Sequence, residues 1–182
     1  MFSKSLLLFA MLFVTLAAFV LVLFPTPTAR AQPTIVVKAN GIRWLTIDRA
    51  GNLLANLSNL APGDAYVGKW SVTNENNFAV RYAFTSETTN ADGKSLAAQI
   101  EIELRAYGNG CEKFDGGLLY RGALASAKFG DADFGAQAGD RVLGAQTSEM
   151  LCVRVSLPLD TPNAFQGATT TATFIVSAEA IE

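Results

Sequence analysis

Apolar and polar residues alternate along several short stretches of this chain, with the two-residue period of a β-strand. Val, Ile, Thr and aromatic residues fill these stretches, and clusters of Gly, Asn, Asp and Pro separate them. The pattern predicts eight strands: Thr34–Lys38, Ile42–Ile47, Asn52–Leu57, Val67–Asn74, Ala79–Glu87, Gln99–Tyr107, Glu149–Leu157 and Thr169–Ala178. No stretch keeps apolar residues at helical spacing for three turns. The sequence therefore predicts an all-β, antiparallel two-sheet sandwich.

The alternation also predicts which face of each strand is buried, because successive side chains point to opposite sides of a sheet. The inner sets are expected to be Phe78, Val80, Tyr82 and Phe84; Ile100, Ile102 and Leu104; and Leu151, Val153, Val155 and Leu157. Opposite them lie Arg81 and Thr85; Glu101, Glu103 and Arg105; and Cys152 and Arg154. In the last strand Thr170, Ala172, Phe174 and Val176 share one face, and a threonine-rich face opposite suits an exposed or intermolecular surface.

Two segments, 108–117 and 125–148, are rich in Gly, Ala and Asp and are expected to be loops. No composition change marks a boundary within residues 32–182, which are expected to form one domain.

The first 31 residues carry the pattern of an export signal. Lys4 precedes an uncharged apolar run from Ser5 to Phe24, and Pro25 and Pro27 follow it. Ala29-Arg30-Ala31 supplies small residues where a signal peptidase reads, so we expect cleavage between Ala31 and Gln32. The alternative is an uncleaved membrane anchor, since the run is about long enough to span a bilayer. Both readings place the remaining chain outside the cytoplasm.

Export changes the interpretation of the two cysteines. Cys111 and Cys152 are an even pair in an oxidising compartment, so a disulfide is expected, lying off the core and covering an outer surface. It would close a loop of roughly 40 residues and stabilise the fold by about 4 kcal/mol.

Composition excludes several classes of function. The chain has no histidine, which excludes histidine-based catalytic triads, histidine general bases and histidine-containing zinc sites. The formal net charge is −2 and becomes more negative without Lys4 and Arg30, so a nucleic-acid partner is not expected. No nucleophile paired with a base and no phosphate-binding loop is visible. We therefore expect no catalysis and no cofactor.

Three groups of residues could still carry chemistry. Glu101 and Glu103 share a strand face, but glycosidase carboxylates flank a scissile bond, so ordinary solvated surface is the favoured reading. Asp131 and Asp133, with Asp140 nearby, could hold calcium; they lack EF-hand spacing, and a turn with solvated aspartates is favoured. Trp44 could stack a sugar in a monomeric carbohydrate- or surface-binding module, whereas Trp70 alternates with Val72 and is expected in the core.

Several turns and strands together carry a resemblance to a known family. Residues 56–64 read NLSNLAPGD and lead to 70–77, WSVTNENN; residues 151–159 read LCVRVSLPL and precede 163–167, NAFQG, and the Thr-rich last strand. This combination resembles the TasA/camelysin family of exported bacterial surface proteins, which share an "NLxPGD" turn and a closing "N-x-[YF]-Q-G" turn. The resemblance implies a jelly-roll sandwich and, for the fibre-forming members, a subunit of a biofilm matrix that polymerises by strand exchange. Some relatives carry a metallopeptidase label, but the chain has no H-E-x-x-H sequence, so we expect no protease activity.

The residues after the cleavage site fit such an exchange. Thr34, Ile35, Val36, Val37 and Lys38 form a β-prone segment that would be poorly satisfied as a free tail in water. Within its own domain the segment would be the first strand; in fibre-forming relatives the N-terminal strand is donated to the next subunit. The expected partners are thus other copies of the chain in a head-to-tail fibre, with other matrix or cell-surface components as further candidates.

Overall fold

The computed structural model describes residues 32–41, 45–48 and 59–181, and for the first two of these ranges it describes the backbone. Ten strands follow one another in the described residues: β1 Gln32–Gly41, β2 Leu45–Asp48, β3 Ala65–Asn74, β4 Val80–Thr88, β5 Glu101–Ala106, β6 Leu118–Ala123, β7 Lys128–Phe129, β8 Arg141–Leu143, β9 Ser148–Ser156 and β10 Thr169–Ala180. One helical turn, α1 (Leu96–Gln99), precedes β5, and 3-10 turns occupy Leu124–Ser126 and Asn163–Phe165.

The strands form two five-stranded sheets packed as a sandwich. In the first sheet β1 lies beside β10 and β10 beside β4, while β7 and β8 both pair with the far side of β4. The second sheet has the order β2-β3-β9-β5-β6. All described pairings are antiparallel except that of β1 with β10, which is parallel. The predicted all-β two-sheet sandwich is confirmed, with this one parallel pair as a difference.

Alternating residues from both sheets meet in a single core. Trp70 of β3 packs against Phe84 of β4 and Phe174 of β10, with ring centroids 5.7 and 5.1 Å away. The inner sets predicted for β5, β9 and β10 are buried, and so is Trp70. Thr170 on the same face is also buried, and its hydroxyl is satisfied by donating a hydrogen bond to the carbonyl of Thr89.

Phe78 was expected on the inner face, and this prediction is wrong: Phe78 is 39 % exposed. The strand begins only at Val80, so the two-residue period does not extend back to Phe78. The buried Asn74 side chain donates a hydrogen bond to the Phe78 carbonyl and holds this residue in the turn between β3 and β4.

One of the two loop predictions needs correction, and two elements outside the predicted loops were missed. Segment 125–148 contains β7 and β8, and β6 and α1 were not predicted at all. The strands β7 and β8 have two and three residues, too few for alternation to identify. The strand β6 has six residues, but its sequence LLYRGA does not alternate between apolar and polar residues. Of the other predicted strands, Asn52–Leu57 and residues 42–44 of Ile42–Ile47 lie outside the described residues.

Candidate functional site

The strongest candidate site is the edge of the first sheet, where β1 lies against β10. Ten residues of β1 are in register with ten of β10, from Gln32 opposite Thr169 to Gly41 opposite Ala178. The five residues predicted as an assembly strand lie in the middle of this pairing: Thr34 opposite Thr171, Ile35 opposite Ala172, Val36 opposite Thr173, Val37 opposite Phe174 and Lys38 opposite Ile175. In this structure the segment is thus the first strand of its own domain.

The strand β10, against which β1 pairs, is fixed in place by the core and by β4. Its inner residues Ala172, Phe174 and Val176 are buried in the core, and its other edge is paired with β4 over nine residues. At its start, the Asp92 carboxylate accepts a hydrogen bond from the Thr169 backbone N–H at 2.7 Å. Without β1, the exposed edge of β10 would present unpaired backbone donors and acceptors, a template for another strand.

The two turns that carry the family resemblance close the sandwich. In Pro62-Gly63-Asp64, Gly63 has a φ of +91°, which glycine adopts without strain. The Gly63 N–H donates to the Leu157 carbonyl, and the Leu157 N–H donates to the Asp64 carbonyl, at 2.8 and 3.0 Å. In the second turn, residues 163–165 form a 3-10 turn and Gly167 has a φ of +68° just before β10.

A buried asparagine organises the turn between β3 and β4. The Asn74 amide donates to the carbonyls of Phe78 and Gly144, both at 2.8 Å, and its side-chain oxygen accepts from the backbone and side chain of Asn76. Both asparagines belong to the stretch WSVTNENN, and their role here is to satisfy backbone groups.

Cys111 and Cys152 are joined by a disulfide, with their Cα atoms 5.1 Å apart. With Phe114 they form a small apolar cluster on the outer side of the second sheet, separate from the main core. The structure thus pairs the two cysteines as expected and places the bridge outside the main core, although Cys152 itself is only 1 % exposed.

Glu103 was expected on an ordinary solvated surface, and this prediction is wrong: the residue is 7 % exposed. Its cross-strand neighbours are Arg121 on β6 and Arg154 on β9, and Arg105 donates a hydrogen bond to its carboxylate at 2.6 Å. Three cations therefore surround one carboxylate, an arrangement that depends on strand register. Glu101, by contrast, is exposed as expected.

The aspartates considered for calcium are used inside their own loop. The Asp140 carboxylate accepts the backbone N–H groups of Asp131 and Gln137, at 2.9 and 2.7 Å, and Asp131 accepts that of Asp133. In the part of the chain that the structure describes, no group of acidic or cysteine side chains is arranged to hold a metal ion. The geometry favours the turn interpretation.

The sequence analysis placed Tyr82 on the inner face but did not identify its polar partners. Tyr82 donates a hydrogen bond to Glu149 at 2.8 Å, and Arg141 pairs with the same carboxylate. Burial raises the pKa of Tyr82 far above its usual value, and the Glu149 charge raises this pKa further. The three side chains link β4, β8 and β9.

Of the two tryptophans, Trp70 is buried and cannot stack a ligand, and Trp44 lies outside the described residues. None of the described helices has the length and apolar character needed to cross a membrane. No protein-family model and no curated protein matches this chain.

Proposed function

We propose that the protein is a structural subunit of an extracellular fibre, biofilm matrix or cell-surface layer, and that it assembles by donating its N-terminal strand to the next subunit. The proposal includes no catalytic activity. Its place outside the cytoplasm is supported by the predicted export signal and the Cys111–Cys152 disulfide.

One observation carries this proposal: β1 is an edge strand that would begin at the new N-terminus if the signal is cleaved after Ala31. A terminal edge strand can leave its sheet without breaking the pairing of any strand on its other side. The β1 strand of a neighbouring copy could make the same ten registered pairs with β10. Exchange therefore replaces contacts within one chain by identical contacts between chains.

The connection after β1 favours exchange. Only residues 42–44 separate β1 in the first sheet from β2 in the second. Short hinges between exchangeable elements are a known route to domain swapping. Because each copy donates on one side and accepts on another, the contact is head-to-tail and an open chain of subunits results. The resemblance to the TasA/camelysin family supports the same mode of assembly.

The first test deletes residues 32–39 and compares the purified protein with wild type by negative-stain electron microscopy and circular dichroism. We expect filaments from the wild type and a folded, non-polymerising monomer from the deletion variant. Filaments from the truncated protein would exclude strand donation, and global unfolding would assign β1 to its own domain alone.

A second test keeps the chain intact and adds a synthetic peptide of residues 32–41 to the wild-type protein. If the edge of β10 accepts a strand from another molecule, excess peptide should occupy it and shorten the filaments. A scrambled peptide of the same composition is the control. Equal filament lengths with both peptides would contradict the proposal.

A further inference from the structure

The strand β1 begins at the residue that cleavage after Ala31 would leave as the N-terminus, and this residue is a glutamine. An N-terminal glutamine reacts with itself in water. Its α-amino nitrogen attacks the carbonyl carbon of its own side-chain amide, the new C–N bond closes a lactam ring, and the amide nitrogen leaves as ammonia. The product, pyroglutamate, carries no charge at the N-terminus, and its formation needs no oxidant and no cofactor.

The register of the first sheet shows where the backbone nitrogen of Gln32 points. The Thr171 carbonyl accepts a hydrogen bond from the residue that follows β4, so the backbone groups of Thr171 face β4. Successive residues of a strand direct their backbone groups to opposite sides, so those of Thr170 face β1. Thr170 is level with Pro33, and in a parallel ladder such a residue bonds to both neighbours of its partner. The nitrogen of Gln32 is therefore directed toward β10, level with the carbonyl of Ala168.

The surroundings of this nitrogen disfavour a positive charge. Ala168 has no exposed surface, and two residues before it the Gln166 carbonyl accepts a hydrogen bond from the Lys94 ammonium at 2.7 Å. The Asp92 carboxylate accepts the Thr169 N–H, so it lies on the side of β10 that faces β4. A free α-ammonium would thus lie beside a buried residue and near another cation, with the Asp92 carboxylate on the far side of the strand.

A lactam suits this position better than an ammonium group. An ammonium has three N–H donors and a charge, whereas a parallel ladder offers each nitrogen one carbonyl. The lactam is a neutral amide that keeps one N–H, as a peptide nitrogen does inside a strand. A charge costs much more to remove from water than a neutral amide does. Pairing of the first residue of β1 with β10 is therefore more favourable after cyclisation.

We propose that Gln32 is a modification site and that the mature chain begins with pyroglutamate. The proposal rests on the proposed export and on cleavage after Ala31. It holds whether β1 pairs with β10 of its own chain or of a neighbouring copy, because the register is the same in both cases. Its consequence is an uncharged first residue at the end of the strand that enters the sheet.

The same cap protects β1 from trimming. The second residue of the mature chain is Pro33, and dipeptidyl peptidases that remove an Xaa-Pro pair require a free α-amine on the first residue. Loss of residues 32 and 33 would remove two of the ten registered pairs between β1 and β10. Pyroglutamate has no such amine, so a chain that begins with it resists these enzymes outside the cytoplasm.

The test compares the protein that an exporting host releases with the variant Gln32→Ala, which cannot form the lactam. Free amines are dimethylated in the collected medium before any other step, so that cyclisation during later handling is excluded. Trypsin then cuts at arginine alone, and the first peptide spans residues 32–43. We expect the wild-type peptide to be unlabelled at its N-terminus and lighter than its sequence by one ammonia. The peptide of the variant should carry the label there.

A dimethylated amine on Gln32 would overturn the proposal, and so would a mature chain that begins at another residue. Strand donation fails separately, because filaments are its readout. A capped wild type that forms no filaments would contradict donation and would still establish the modification.

An Xaa-Pro dipeptidyl peptidase tests the protective role on both proteins, with circular dichroism as the check that each is folded. We expect the variant to lose its first two residues, as measured by intact mass, while the wild type keeps its full mass. Equal digestion of the two proteins, including digestion of neither, would overturn the protective role.

Discussion

Single side chains decide how the loops of this sandwich attach to its sheets. The Asn74 amide has no exposed surface and makes hydrogen bonds to the turn after β3 and to the loop before β9. Asp92 joins its own loop to the first residue of β10. The Asn74 side chain replaces water as the partner of backbone groups that are costly to leave unpaired when buried, whereas the hydrogen bond of Asp92 is exposed.

Replacing Asn74 with alanine should destabilise the protein by about 3 kcal/mol, because buried carbonyls and the Asn76 amide lose their partners. The free energy of unfolding in urea measures this loss. Asn77→Ala is the matched control, since Asn77 is exposed in the same turn. Equal stability of the two variants would show that the Asn74 network contributes little.

The lowered pKa of Asp92 predicts how the stability of the folded protein changes with pH. The backbone N–H of Lys94, followed by that of Thr169, lowers the pKa of Asp92 below 3.8. A carboxylate whose pKa is lowered by folding stabilises the folded protein fully at pH values above its pKa in the unfolded chain. This stabilisation is lost as the pH falls through its pKa in the folded protein. Asp92→Asn should therefore be less stable than wild type at neutral pH and approach it in acid below pH 3.8. Urea titrations at several pH values test this; a difference that persists unchanged in acid would contradict it.

At the scale of elements, alternation predicted the strands that bury one complete face. The inner residues of β5, β9 and β10 follow the two-residue period because one side meets the core and the other does not. The method failed for β7 and β8, which have two and three residues and pair with a single strand. It also failed for Glu103, because only strand register places Arg121 and Arg154 beside it.

Removing the disulfide should lower the free energy of unfolding without changing the fold. Replacing Cys111 and Cys152 together with alanine should lower the free energy of unfolding by about 4 kcal/mol. The strand signal in circular dichroism should persist, since the cluster of these cysteines with Phe114 is separate from the main core. Urea denaturation of both proteins under non-reducing conditions measures this difference in the free energy of unfolding. Mass spectrometry of non-reduced, alkylated wild type must show no free thiol; two alkylated cysteines would refute the bridge.

Point substitutions in β1 test its register. Val37 lies opposite Phe174, which is fully buried, whereas Val36 lies opposite the partly exposed Thr173. A charge level with a buried ring is costly to desolvate. We therefore expect Val37→Asp to reduce filament formation more than Val36→Asp does, as counted by electron microscopy at equal protein concentration. The reverse order would show that the strand pairs in another register during assembly.

At the scale of the whole molecule, the proposed polymer depends on the pairing of β1 with β10. This pairing uses backbone groups along ten registered residues. Salt screens the attraction between exposed charges and affects backbone hydrogen bonds little. Filaments built through this edge should therefore persist at high salt.

If the protein assembles as proposed, cleavage of the export signal should be needed before β1 can be donated. The predicted cleavage point lies between Ala31 and Gln32, and Gln32 is the first residue of β1, so cleavage would free the strand at its first paired residue. The intact mass of the protein in filaments should therefore correspond to a chain that begins at Gln32. Replacing Ala31 with a bulky residue such as Phe should block cleavage and keep the protein attached to the membrane through residues 1–31, and filaments should then be absent. Filaments whose subunits retain residues 1–31 would show that a free N-terminus is not required and would remove the reason for assigning the donated strand to β1.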